Sequence, residues 1–149
     1  MSQVSALYQP QDITGWTVMV TGASSGFGQA AAWRFAELGC KLVIVARRTE
    51  RLEALKKELS AKYGTAVHCL TLDMMDIPKV EKMDEMLPEE FRNVDILVNN
   101  AGLALGTNKV DTNVTSDIVR MMTVNVTAVI VATAVFTKGM KARGRGHVI

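Results

Sequence analysis

The segment Thr21-Gly22-Ala23-Ser24-Ser25-Gly26-Phe27-Gly28 gathers three glycines and two serines into eight positions. It lies between a short apolar run and an amphipathic one, which read as a strand and the helix after it. A pyrophosphate placed there meets unpaired backbone N–H groups and the positive end of the helix dipole. Glycine is needed where a side chain would block the approach of backbone to phosphate or of helix to strand. Ser24 and Ser25 add hydroxyl donors. A plain Gly-rich turn is the alternative, and the strand before it and helix after it argue against that.

Arg47-Arg48 follows the second apolar run, after Ala46. An NAD site puts an acidic residue near this point to hold the ribose 2′-hydroxyl. Here a carboxylate is absent and two guanidinium groups are available, which suits the 2′-phosphate of NADP(H) through bidentate, charge-assisted hydrogen bonds. A solvated basic helix start would be unfavourable, because cations belong at the other helix end. Asp73, after the third run, either accepts from an adenine amino group or caps a loop. Asn99-Asn100-Ala101-Gly102 closes the fourth run. Its amides can brace the neighbouring strand and line a ribose, although an ordinary strand-ending turn uses the same residues. Asn125 is polar within an apolar helical run (Val124, Val126, Val129, Ile130). Asn is poor in helix interiors and costly to bury unpaired, so it hydrogen-bonds a definite partner, through a local helix irregularity, a water or a core contact.

Other reactive residue types read as packing. Met83, Met86, Met121 and Met122 sit at helical positions as core filler. Cys40 and Cys69 are far apart with no CxxC or zinc spacing, and are read as small buried residues in a reducing compartment rather than a disulfide or reactive thiol. His68 and His147 have no ligand-spaced partner, so no metal site is expected.

The elements that must position these residues alternate. Strands are expected at Trp16–Val20, Lys41–Ala46, Val67–Leu72 and Asp95–Val98, with a fifth beginning in Gly144–Ile149. Helices are expected over Ser25–Leu38, capped by Gly39, and from an N-cap at Thr49 to Gly64, with Leu52, Leu55 and Leu59 on one stripe. A further helix starts at Pro78 with Val80, Met83 and Leu87 at helical spacing, and a long one runs from about Ser116 to Lys141. This pattern predicts an α/β fold, a doubly wound parallel sheet of Rossmann type with about five strands. Residues 1–14 read as a flexible arm and 15–149 as the dinucleotide-binding domain. The three segments that follow strands then fall on the ligand edge.

With 48% hydrophobic and 21% charged residues and a net charge of +2, the composition is that of an ordinary globular domain. It gives no reason to expect nucleic acid or an anionic membrane as partner. The apolar stretch Ala128–Phe136 is too short to span a bilayer, and the polar start lacks a signal pattern. A cytoplasmic location is expected.

Together the segments resemble the short-chain dehydrogenase/reductase family. The match is carried by Thr-Gly-xxx-Gly-x-Gly at Thr21 to Gly28, by Asp73, by Asn-Asn-Ala-Gly at Asn99 to Gly102 and by Asn125. Within the family the chain is similar to the NADP(H)-dependent 3-hydroxy acid (serine-type) dehydrogenases, on Gly26-Phe27-Gly28, Ala46-Arg47-Arg48, Leu87 to Phe91 and the run from Asp95 to Gly106. The resemblance implies that Gly22, Ser24, Gly26, Phe27 and Gly28 surround the pyrophosphate and adenosine side. It puts Arg47 and Arg48 on the 2′-phosphate, Asp73 on the adenine, and Asn99, Ala101 and Gly102 along the stretch towards the nicotinamide. Asn125 would be the family's catalytic Asn, holding a water in the proton relay.

The chain departs from the family pattern in one respect. Members use a Ser and a Tyr-xxx-Lys pair for acid–base chemistry. The tyrosines here are Tyr8 and Tyr63, followed four residues on by Asp12 and Val67. The resemblance therefore implies an NADP(H)-linked oxidoreductase of 3-hydroxy acids such as serine or allo-threonine, present as an incomplete chain that is itself inactive and, when complete, a homo-oligomer acting on a small molecule. The competing expectation is a non-catalytic dinucleotide-binding or subunit-pairing fragment.

Overall fold

The computed structural model describes residues 11–106 and 109–149. Five parallel strands, β1 (Thr17–Thr21), β2 (Lys41–Ala46), β3 (Val67–Thr71), β4 (Val94–Val98) and β5 (His147–Val148), form one sheet in the order β3-β2-β1-β4-β5. The order reverses between β1 and β4, which opens a crevice at their carboxyl ends. Helices α1 (Gly26–Glu37), α2 (Thr49–Tyr63), α3 (Ile77–Val80), α4 (Thr115–Met122) and α5 (Ala128–Arg143) connect the strands, with a π-helical segment, Thr123–Thr127, joining α4 to α5.

Strand side chains alternate between the two faces, as the pleat requires. Val18, Val20, Leu42 and Ile44 pack with Ala32, Ala36, Leu52, Leu55 and Leu59 of α1 and α2. Met19, Val43, Val45 and Leu97 pack on the other face with Ala128, Ala132, Phe136 and Met140 of α5. Both faces are covered, so the strands are apolar on both sides.

The strands begin or end within a residue of their expected limits, except that β5 is confined to two residues. Gly39 and Gly64 take the left-handed conformation after α1 and α2 (φ +75° and +66°), as expected of helix stops. Four expectations need correction. Thr49 is the first residue of α2 rather than its cap; Arg48 holds the cap position, and the Thr49 hydroxyl shares a 2.8 Å hydrogen bond with that of Thr71. The helix expected from Pro78 is one turn, Ile77–Val80, capped by Asp76 through the Lys79 N–H, followed by hydrogen-bonded turns. Val80, Met83 and Leu87 are nonetheless all buried, because helical spacing also serves a chain of turns winding over one face. Met86 and Met122 are exposed rather than core filler, while Met83 is fully buried. Finally, the apolar stretch belongs to a continuous helical run, Thr115–Arg143, whose length of 29 residues and window of mean hydropathy 1.9 suffice to cross a membrane by length and composition alone. Val124, Ala128, Ala132, Phe136 and Met140 of that run belong to the core. Residues 1–10 of the expected arm lie outside the described residues. Within 11–14, Ile13 packs against the α1–α2 face and its carbonyl accepts from the Cys40 thiol.

Candidate functional site

β1 delivers the chain at Thr21 into a turn at Gly22, whose φ is +68°. A Cβ at Gly22 would stand 2.9 Å from both Ala101 Cα and Asn100 Nδ2, so only glycine lets the two loops touch. A Cβ at Gly28 would stand 2.5 Å from the Gly22 carbonyl oxygen, because α1 is seated directly on the strand end. Gly26 differs from both: nothing lies within 4 Å of its Cβ position, and its φ of +58° is what demands glycine. The loop is therefore tight against protein at two glycines and open at the third. Ser25 caps α1 without a side-chain hydrogen bond, which leaves the helix's first N–H groups directed at the opening.

The loop after β4 is tied to this turn. The Thr21 hydroxyl donates to the Val98 carbonyl (3.2 Å) and accepts from the N–H groups of Asn100 and Ala101 (3.1 and 3.0 Å). Asn100 Nδ2 donates back to the carbonyls of Thr21 and Gly22 (2.9 and 3.3 Å). The bracing expected of the paired amides thus falls to Asn100, which also lines the cleft although no cofactor contact was expected of it. Asn99 turns instead towards α5 and donates to the Thr133 hydroxyl at 3.2 Å. It does not line the cleft. Two adjacent amides at a strand end point to opposite faces, and no feature of the dipeptide says which one faces β1.

Between these loops and the end of β2 lies a cleft of about 320 Å³, within the range of small-ligand sites. Gly22, Ser24, Ser25 and Phe27 line one side, Ala101 and Gly102 the other, and Arg47, Arg48 and Asp73 the end beyond β2 and β3. Val45, Leu72, Met74 and Val124 supply apolar lining that the sequence reading did not anticipate. Phe27 is 90% exposed at the rim of the cleft. Gly26 and Gly28 shape the loop from outside the lining. Arg47 and Arg48 are exposed, and among the described residues neither has a carboxylate within salt-bridge distance. The Arg48 Nη2 reaches the Ser24 hydroxyl at 3.4 Å, across the mouth of the cleft. Of the two roles expected for Asp73, the loop cap is present, with Oδ1 accepting from the Met75 N–H (3.0 Å), and the residue also lines the cleft.

Asn125 sits in the π-helical segment, a widened turn of the kind found at functional sites. Its Oδ1 accepts from the Leu103 N–H and its Nδ2 donates to the Leu103 carbonyl, both at 2.8 Å. The definite partner expected for this amide is therefore the backbone of one residue, Leu103. Leu103 and its neighbour Gly102 line the cleft, whereas Asn125 does not. Among the described residues no cluster of His, Cys, Asp or Glu could hold a metal ion.

Comparison with known proteins agrees with the fold. Over 139 residues the chain is 40% identical to an NADP-dependent 3-hydroxy acid dehydrogenase of Schizosaccharomyces pombe, covering 92% of this chain and 53% of that protein. It is 49% identical over 111 residues to a serine 3-dehydrogenase of Agrobacterium fabrum, covering 66% and 43% respectively. Its fold superposes with a TM-score of 0.79 on the closed form of serine dehydrogenase complexed with NADP+, at 38% identity, covering 89% of this chain and 52% of that one. The chain spans about half the length of the curated relatives it matches. The sequence model of the short chain dehydrogenases matches residues 16–149, from the start of β1 through the glycine cradle, the Asn100 brace and β5, and the chain belongs to that family.

Proposed function

We propose that this chain forms the cofactor-holding part of an NADP(H)-dependent oxidoreductase that interconverts hydroxyl and carbonyl groups, with 3-hydroxy acids such as serine or allo-threonine as substrates. The observation that carries the cofactor choice is the pair of guanidinium groups, free of carboxylate partners among the described residues, at the end of β2. The substrate class rests on the names of the relatives. When bound, the dinucleotide supplies the hydride that is exchanged with the substrate carbon.

The residues present fit such a group. The opening at Gly26, beside the uncapped start of α1, accommodates a pyrophosphate against backbone N–H donors. Ser24 and Arg48, already within reach of each other, together with Arg47 suit a 2′-phosphate. Leu72, Met74 and Val45 offer an apolar surface to the adenine, with Asp73 at its edge. Asn99 would then act by supporting the loop through Thr133, and Ala101 and Gly102 by exposing backbone towards the nicotinamide side. Any water ordered at Asn125 would be held by its main chain, since Leu103 occupies the amide. The exposed apolar residues of α4 and α5, including Val119, Met122 and Ile130, suit the pairing of copies. The free thiols Cys40 and Cys69 accord with a cytoplasmic location.

The 149 residues contain no Tyr-xxx-Lys pair, so they are expected to bind the dinucleotide without turning it over. General acid–base catalysis contributes ~10²–10⁴-fold, and substrate positioning more. NADPH should raise the melting temperature of the chain and NADH should do so less. Absence of any shift in soluble protein would overturn the cofactor assignment. Appearance of reduced-nicotinamide absorbance from NADP⁺ with serine or 3-hydroxybutyrate would overturn the expectation of inactivity. Sedimentation as a monomer at high micromolar concentration would count against pairing.

A further inference from the structure

Asn125 is not the only side chain that holds the loop leaving β4. One helical turn earlier, Met121 of α4 places Sδ 3.2 Å from the Leu105 N–H. Among the described residues no backbone carbonyl takes that N–H. Residues four apart on a helix lie on the same face, so Asn125 and Met121 together grip three consecutive peptides of one loop, through the Leu103 N–H and carbonyl and the Leu105 N–H. The first residues of that loop, Ala101 to Leu103, wall the cleft. Immediately beyond the grip the chain turns at Gly106 with φ +72°, where a Cβ would meet Asn113 Oδ1 at 3.2 Å.

We propose that Met121 is a positioning residue of the cofactor cleft: its thioether holds the Leu105 peptide, and with Asn125 it keeps the loop where NADP(H) meets it. This rests on the reading of the cleft as an NADP(H) site. A thioether is a weak acceptor, yet among the described residues no backbone carbonyl takes this half-buried N–H, and a backbone donor shielded from water is costly to leave unpaired. Met has the reach and flexibility to meet a peptide across an irregular gap. Leu matches it closely in volume but offers no acceptor, whereas Gln offers a stronger acceptor on a similar stem.

The experiment measures Leu105 amide exchange and NADPH affinity in the wild-type chain, Met121→Leu and Met121→Gln. Loss of the acceptor in Met121→Leu should speed Leu105 exchange on the order of tenfold, the worth of one such hydrogen bond, while the Ala101 amide, held by Thr21, keeps its rate. With the receiving position less populated, NADPH should bind about threefold more weakly. Met121→Gln should return both quantities to near wild type, a rescue that a purely volume-filling role would not produce. Unchanged Leu105 exchange in Met121→Leu would overturn the hydrogen bond. Faster exchange with unchanged NADPH affinity would overturn the positioning role. If the wild-type chain itself bound no NADPH, the reading of the cleft would fail and the positioning role with it. That outcome is separable, because it appears before any substitution is made. Should Met121→Leu fail to fold, Met121→Gln decides: affinity well below wild type in that folded variant would overturn the proposal.

Discussion

The two ends of the sheet handle polar groups in opposite ways. At the amino ends of the strands, Asp95 of β4 is buried, accepting from the Thr17 N–H (3.1 Å) and from Arg145 Nε and Nη2 (3.0 and 3.3 Å). Arg143 donates to the Val94 carbonyl at 2.7 Å, and Arg145 lies 5.0 Å above the Trp16 ring, on which His147 stacks. There the charges are consumed in tying α5 and β5 to β1 and β4. At the carboxyl ends, Arg47 and Arg48 stand in solvent, α1 begins without a side-chain cap, and Phe27 is uncovered. Polar groups whose hydrogen bonds close within the fold hold its elements together, and charge left unpaired beside a cleft is available to a ligand.

Breaking the first end should produce the largest effect. Asp95→Ala removes the acceptor of a buried N–H and leaves Arg145 unpaired, which should cost about 3 kcal/mol, discounted from a fully buried pair because Arg145 is half exposed. Urea unfolding measures it, and NADPH affinity of the folded fraction should stay near wild type. A marked loss of affinity would mean the two ends are not independent. Next, Gly22→Ala forces a Cβ against Ala101 and Asn100 at positive φ. It should destabilise by roughly 1–3 kcal/mol and also abolish NADPH binding in a titration, which Asp95→Ala does not.

Arg47→Asp sharpens the contrast from the other side. It should weaken NADPH by about tenfold through loss of a charge-assisted hydrogen bond while leaving the urea midpoint unmoved, and shift preference towards NADH. An unchanged NADPH/NADH ratio would remove Arg47 from the site. The smallest effect at neutral pH concerns the thiols. Burial raises Cys40 to about 11 and Cys69 to about 12, each from an ordinary value of 9.0. Because the folded values lie above the unfolded one, the associated stability is whole below about pH 9 and is lost as pH rises through 11 and 12. At pH 8 both thiols should react with iodoacetamide more slowly than in the unfolded chain. Equal rates would place them in solvent.

Much of this architecture was legible in residue order. β2 was delimited to the residue because six apolar-rich positions are bounded by a Gly39 stop and two arginines. The glycine cradle was legible because each glycine follows a strand and opens a helix. The short helix after Pro78 was not, since periodic apolar residues mark a buried face without specifying the hydrogen bonds beneath it. Asn125 announced its need for a partner, and the irregular turn allowed for there is present. Its partner, Leu103, lies 22 positions away, beyond any local pattern.

The order of the elements, the closeness required of Gly22 and the basic end of β2 were settled by sequence, because they depend on local conformation and on side-chain type. Tertiary structure decided which amide of Asn99-Asn100 braces β1, that Asp73 both caps a loop and faces the cleft, and that Met121 reaches Leu105. The reason is physical. Those are contacts between segments tens of residues apart, and their geometry follows only when strand register and helix seating place a given donor within about 3 Å of a given acceptor.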